Sequence, residues 1–427
     1  MNQIKNIEIA KSVNLNTYFT DKFKTSIFSV FIHTPLKRET ATINRLLLKL
    51  ISGYSKKFSS AKEIERKKAD LYGLSLSESC LKDGDIQILS MNLDFISNKF
   101  TIDDENLSAS VCDFLMELLL NPKFDENGYF FEEDINREKR LLRDELESIL
   151  NDKRKYALKK GVSLLFDGEA YGLSANGYVE DLEKITREDL KRAYEDLIYN
   201  SAIEFIYVGE ENQNIEKKLK YAFEKIERVP EISAQSNFFG KKITFVSGEE
   251  HFDLTQSKVV MGFRADTVFD EFNSREYVVL SLMNSIFGGG TYSKLFMNVR
   301  EKQSLCYYCS SQLIVNRFAL IVQSGVEDEN IELAEKSILR EFQDLSEGKI
   351  SDDELKFSKI AFENMLKAFY DTPELIESLI IMQIKNKNFD LNDLINLSKE
   401  ITKDDIKRAA EKFTYSMKYA IRPQSRK

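Results

Sequence analysis

The segment Ile185-Thr-Arg-Glu-Asp-Leu-Lys-Arg-Ala193 returns 216 residues later as Ile401-Thr-Lys-Asp-Asp-Ile-Lys-Arg-Ala409, an offset close to half of the 427-residue chain. In each copy a threonine stands where a helix begins. Acidic residues then fill the first turn and Lys-Arg follows, the order that suits an N-cap and the helix dipole. Each copy precedes a strand-like run, Ile203 to Val208 in one half and Met417 to Ile421 in the other. A nine-residue match with the same element behind it points to tandem duplication, which restricts the chain to two similar halves.

Both halves mix strands and helices in similar order, which predicts an α+β fold of two tandem homologous domains. In the first, residues 26–32 and 85–95 are rich in β-branched and aromatic residues and read as strands. Residues 43–52 and 61–71 between them read as helices, and Leu107, Val111, Phe114, Leu115 and Leu118 are spaced for one buried helical face. In the second half, 259–265 and 318–326 read as strands, and Ile331, Ala334, Ile338, Phe342 and Leu345 form a helical stripe. Polar residues and Pro230 place the join at 229–237, giving domains at 1–228 and 238–427, each large enough for its own core.

Composition narrows the function. The net charge of −9 argues against nucleic acid and anionic membrane surfaces as partners. No run approaches the roughly 20 apolar residues of a membrane span, and the first residues lead into no apolar core of a secretory leader. Four Cys are too few for a disulfide framework in a chain of this length, so a cytoplasmic location is expected. There are two His, His33 and His251, 218 positions apart. No pair therefore sits one helical turn apart to hold zinc, and no metal site is expected. Cys306-Tyr-Tyr-Cys309 has C-x-x-C spacing, but in a regular strand positions i and i+3 face opposite sides.

One segment carries chemistry. Phe287-Gly-Gly-Gly-Thr-Tyr-Ser-Lys-Leu-Phe296 leads into Asn298-Val-Arg-Glu-Lys-Gln-Ser-Leu-Cys-Tyr307. Gly288, Gly289 and Gly290 permit a tight turn and close backbone approach. They do not make a phosphate loop, because Walker A needs Gly directly before Lys-Ser/Thr and Ser293-Lys294-Leu295 lacks it. A helix is expected over about 291–302, with Arg300 near its end and Tyr307 at the start of a strand. A guanidinium and a phenol on such elements suit a peptide carbonyl and its developing oxyanion.

The pattern G-G-G-x-x-S-x-L-F…R-E-K…L-x-Y, with Gln256-Ser-Lys-Val-Val-Met-Gly-Phe263 and the two-half plan, resembles the insulinase-like (pitrilysin) metallopeptidases, which include the mitochondrial processing peptidases. The resemblance covers nearly the whole chain. It implies two mostly antiparallel sheets packed with helices, together one half of a clamshell. It also implies a first half with H-x-x-E-H and a distal Glu on zinc, and a second half whose Arg/Tyr pair contacts substrate. That pair falls on Arg300 and Tyr307.

The first half departs from this pattern. Counting back from Ser60-Ala-Lys-Glu-Ile64 puts the zinc motif on Leu46-Leu-Leu-Lys-Leu50. Leu46 and Leu50 would then replace the imidazoles, and Lys49 the general base. The helix at Arg137 to Glu145 matches the one carrying the third ligand, Glu145, and an outer acid, Glu138. The resemblance thus implies an inactive subunit that binds peptide or unfolded polypeptide through Arg300, Tyr307 and Gly288 to Gly290. Its partner would be a zinc-bearing chain with H-x-x-E-H, zinc being expected only there. It is most similar to inactive bacterial members associated with 5-aminopentanol modification of elongation factor P. The alternative is a scaffold or peptide-binding protein with no part in proteolysis.

Overall fold

The computed structural model describes residues 4–102, 105–230, 238–241, 243–269 and 273–424. Most of the expected join, 231–237, lies outside the described residues. The strands are β1 (Lys5–Ala10), β2 (Val13–Phe19), β3 (Thr25–Pro35), β4 (Ser75–Asp83), β5 (Ile86–Ile96), β6 (Ala202–Gly209), β7 (Phe238–Gly240), β8 (Val246–Phe252), β9 (Ser257–Ala265), β10 (Thr267–Phe269), β11 (Cys306–Ile314), β12 (Ala319–Val326) and β13 (Phe413–Pro423).

The duplication read from the sequence is written into the topology. One sheet runs β1-β2-β6-β3-β5-β4 and the other β11-β12-β9-β13-β8, with β7 and β10 forming a separate pair. Each large sheet has one parallel pairing, β2 with β6 and β8 with β13, and is otherwise antiparallel. From those parallel pairs outward, β2-β6-β3-β5-β4 repeats as β8-β13-β9-β12-β11. The repeated helix starts behave alike. Thr186 and Thr402 each close a capping box, with Asp189 and Asp405. Each helix is followed by the strand, β6 or β13, that joins the parallel pair.

The chain divides into two compact units. The first comprises Met1–Glu147, Leu173–Gln235 and Phe369–Lys385; the second comprises Ser148–Gly172, Ser236–Ala368 and Asn386–Lys427. Each half of the sequence therefore gives one helix to the other half's unit, an exchange that a division at 229–237 does not anticipate.

In the first unit every residue of β6 is buried, so the strand is apolar on both faces except at Glu204, whose carboxylate accepts hydrogen bonds from Asn14 and Asn16. Leu46, Leu47, Leu50, Val111 and Leu115 of the Arg38–Gly53 and Leu107–Leu120 helices share one apolar core with Phe28, Val30 and Phe205 of β3 and β6. A separate apolar cluster joins Ile376 and Ile380 of the Pro373–Lys385 helix to Phe31, Ile206 and Val208 of the same strands. In the second unit, Gly161 of the Lys153–Leu165 helix lets helix and sheet meet, since a Cβ there would lie 2.7 Å from Val260. The Phe342 ring lies 4.5 Å from Phe263, tilted, and 5.2 Å from Phe287, edge to face.

Glu377 on the Pro373–Lys385 helix is buried, accepts a 3.3 Å hydrogen bond from Asn92 with one oxygen and leaves the other unpartnered. Burial, with Asp94 and Glu374 adding to it, raises its carboxyl from 4.5 to about 7. Between those values the folded chain holds a proton that the unfolded chain has lost, so stability falls as pH rises across that window. Glu377→Gln should therefore stabilise the protein at pH 8 by roughly 1–3 kcal/mol and leave it unchanged near pH 4. Urea unfolding of the full chain at both pH values checks this; an equal effect at the two would exclude ionisation as the cause.

Candidate functional site

The apolar helix Arg38–Gly53 carries two cations one turn apart, Arg45 and Lys49, and they turn toward acids on two other elements. Arg45 Nη2 lies 2.7 and 2.9 Å from the two oxygens of Glu145, on the Glu132–Ser148 helix, and 3.4 Å from Glu78 of β4. Lys49 Nζ lies 3.1 Å from Glu145 and 3.3 Å from Glu78. Burial resists the ionisation of Glu145, but Arg45 and Lys49 outweigh it and hold the carboxyl below its ordinary value. Glu138, one helical face along, accepts a 2.9 Å hydrogen bond from the Tyr54 hydroxyl, and burial raises its carboxyl.

This corrects the register expected from sequence. Leu46 and Leu50 are core residues, wholly enclosed, and of the three counted-back positions only Lys49 reaches Glu145. One residue along a helix is a rotation of about 100°, so the pair that meets Glu145 stands at 45 and 49. The signal was present: two cations four apart interrupt an otherwise apolar run. Glu78 left no such signal, because only strand pairing brings β4 here.

The donor set does not suit a metal cation. Two fixed positive side chains already occupy the carboxylate oxygens, and among the described residues no three His, Cys, Asp or Glu side chains converge. Neither histidine supplies one. His33 is buried in the first unit, where burial and Lys385 push it down to about 3, and His251 is exposed on β8.

In the second unit the glycine run ends the Ser274–Gly288 helix. Its freedom is used by the chain itself: a Cβ on Gly288 would lie 2.6 Å from the backbone nitrogen of Ser311 in β11, and one on Gly290 2.8 Å from the Tyr292 ring. Gly289 is exposed. The helix expected at 291–302 begins later and is wound as a π-helix over Leu295–Lys302, a rare form enriched at functional sites. Ser304, at φ 52°, sits between it and β11.

Arg300, 38% exposed, lies with its guanidinium 4.5 Å from the Phe296 ring and 3.5 Å from Glu301. Tyr307, 61% exposed, donates a 2.6 Å hydrogen bond to Glu327, which also raises its own pKa. No hydrogen bond among the described residues joins Arg300 to Tyr307.

β11 is irregular where Tyr307 emerges. Cys306 pairs with Val326 and Tyr308 with Gly325, so Tyr307 is the extra residue of a bulge, a device that re-aims a side chain. The bulge also overturns the opposite-face expectation for the cysteines. Cys306 and Cys309 pair with Val326 and Ser324, two residues apart on β12, and so share one buried face.

Two helix-packed sheets of repeated topology give the chain the two-domain fold shared by M16-type peptidases and their inactive homologues. Residues 184–362 match the family model described as peptidase M16 inactive domain. The chain is 26% identical over 405 residues to the probable inactive metalloprotease YmfF of Bacillus subtilis, covering 94% of each chain. A conserved protein from Enterococcus faecalis superposes with a TM-score of 0.87 at 25% identity, covering 99% of both chains. A peptidase M16 inactive domain from Pseudomonas fluorescens superposes at 0.78 and 15% identity, covering 99% of this chain and 98% of that one. No helix among the described residues is long and apolar enough to cross a membrane.

Proposed function

We propose that this chain is the non-catalytic, substrate-binding subunit of a two-chain M16-type zinc peptidase. Arg300 and Tyr307 serve a zinc-bearing partner with H-x-x-E-H, and the partner holds the only zinc. The observation that carries this reading is the exposure of both side chains on packed elements, with Tyr307 pushed outward by a bulge. A scaffold has no need of that arrangement. The ion pairs of Glu145 with Arg45 and Lys49 support a reading in which metal-activated water belongs to the partner.

Division of labour follows from the chemistry. Metal activates water and polarises the scissile carbonyl, while a guanidinium and a phenol orient the peptide and stabilise the tetrahedral oxyanion. The Tyr307 proton is held by Glu327 in the resting chain, so binding of a carbonyl requires that hydrogen bond to be exchanged. The reading includes a cytoplasmic location, extended peptide or unfolded polypeptide as substrate, and, by resemblance, an association with 5-aminopentanol modification of elongation factor P.

The test is reconstitution with an H-x-x-E-H chain encoded beside this one. Neither chain alone should hydrolyse a quenched-fluorescence peptide library, whereas the mixture should do so at roughly 1–10³ turnovers per second. Full activity of the zinc chain by itself, unaltered on mixing, would leave this protein as a scaffold.

A further inference from the structure

Tyr308 follows the bulge residue and lies in the other direction, across the face of the second sheet. It pairs with Gly325 of β12, which in turn pairs with Lys258 of β9, so the three form one cross-strand row. Gly325 makes the row possible: a Cβ there would lie 2.4 Å from the Tyr308 ring and 2.9 Å from the Gln256 side chain. The phenol is therefore laid flat over a position that tolerates no side chain.

Two cations converge on this ring. Arg154, in the first turn of the Lys153–Leu165 helix, holds its guanidinium 4.2 Å from the ring centroid, and its Nε donates to Gln323 at 3.4 Å. Lys258 Nζ lies 5.9 Å from the same centroid and donates to Gln256. Among the described residues, neither makes an ion pair with a carboxylate. Burial, then the charge of Arg154, pulls the Lys258 ammonium below its ordinary value. Two nearby acids have other partners, although the charge of Glu327 also acts on Lys258. Glu327 holds the Tyr307 hydroxyl, and Asp152 caps its helix through the backbone nitrogens of residues 154 and 155. Lys258 and Tyr307 line the same open cleft, together with Lys153, Asp253 and Glu327.

We propose that Arg154 and Lys258 form a carboxylate-binding subsite beside Tyr307, so that peptides bearing an acidic side chain or a free C-terminal carboxylate are preferred. The inference rests on the peptide-binding reading above and adds its substrate class. The chemistry is that of two like charges held near one ring, neither in an ion pair with a carboxylate among the described residues. A carboxylate placed between them receives charge-assisted hydrogen bonds and relieves their mutual repulsion. The Tyr308 ring faces both cations. Its own hydroxyl stays protonated, because burial raises it to about 12.

The experiment uses fluorescein-labelled twelve-residue peptides of one neutral sequence in four forms. These carry Gln or Glu at three central positions, and end in an amide or an acid. Binding to the full chain, alone and with its partner, is followed by anisotropy. A carboxylate form should bind about tenfold more tightly than the neutral amide at low salt. Preference for Glu assigns the subsite to side chains, and preference for the free acid assigns it to the C-terminus. Arg154→Gln/Lys258→Gln should bring the ratio to about one while changing the neutral peptide's affinity less than about twofold. Lys258→Arg should retain the preference, which separates charge from packing. Equal binding of all four forms, or a preference that survives in the double variant, overturns the subsite and leaves the peptide-binding reading standing. Failure of all four to bind overturns both.

Discussion

Leu46→His/Leu50→His should unfold the first unit and bind no zinc, whereas Arg45→His/Lys49→His should keep the fold and gain a zinc site with Glu145. The first pair enters a fully enclosed apolar core. Each imidazole there loses leucine packing and leaves polar nitrogens unpaired, so the two together should cost roughly 4–8 kcal/mol, a large share of the stability of any domain. The second pair replaces cations that already touch Glu145, from positions one turn apart on the face that meets it. Removing both charges frees the carboxylate, and two imidazoles with one carboxylate are a common zinc set. Metal analysis after dialysis should find about one zinc per chain in the Arg45/Lys49 variant and none in the wild type. A folded, zinc-loaded Leu46/Leu50 variant would move the ligand positions back by one residue. An Arg45/Lys49 variant that folds yet binds no zinc would show that more than charge was lost, such as the outer support that orients ligands.

Arg300→Ala and Tyr307→Phe, each placed in the reconstituted complex, should lower peptide turnover by roughly 10- to 1,000-fold. Both side chains are exposed or half-exposed, and their contacts within the chain are few: Phe296 and Glu301 for the guanidinium, Glu327 for the phenol. Their removal should therefore change stability by less than about 1 kcal/mol. That separation is what makes the variants informative. Loss of a contact made mainly in the transition state lowers kcat with KM little altered, while loss of uniform binding raises KM alone. Tyr307→Phe deletes a single oxygen and is the sharper of the two. Unchanged kcat and KM in both variants would return the pair to a surface role.

The glycine run has a use within the chain that its sequence alone does not reveal. Gly288 to Gly290 were expected to make way for a peptide, but the crowding at Gly288 comes from the chain's own β11 and at Gly290 from Tyr292. The spacing of Cys306 and Cys309 does mislead, because a single inserted residue reverses strand parity and no local composition announces it. The cation pair Arg154 and Lys258 had no sequence signal at all, since its members come from different halves of the duplicated chain.

What the sequence determined by itself was the plan. Duplication, capping threonines and apolar periodicity are local or nearest-neighbour properties, and they specified two α+β halves and the central strands of each sheet, but not β1, β2, β4, β8 or the two exchanged helices. The absence of paired histidines excluded a zinc motif of the H-x-x-E-H kind without any coordinates. What only the tertiary structure decided was which side chains face one another. A one-residue step turns a helix by about 100° and a strand by about 180°. Hence the contacts with Glu145 belong to Arg45 and Lys49 rather than to the leucines beside them, and a bulge points Tyr307 outward.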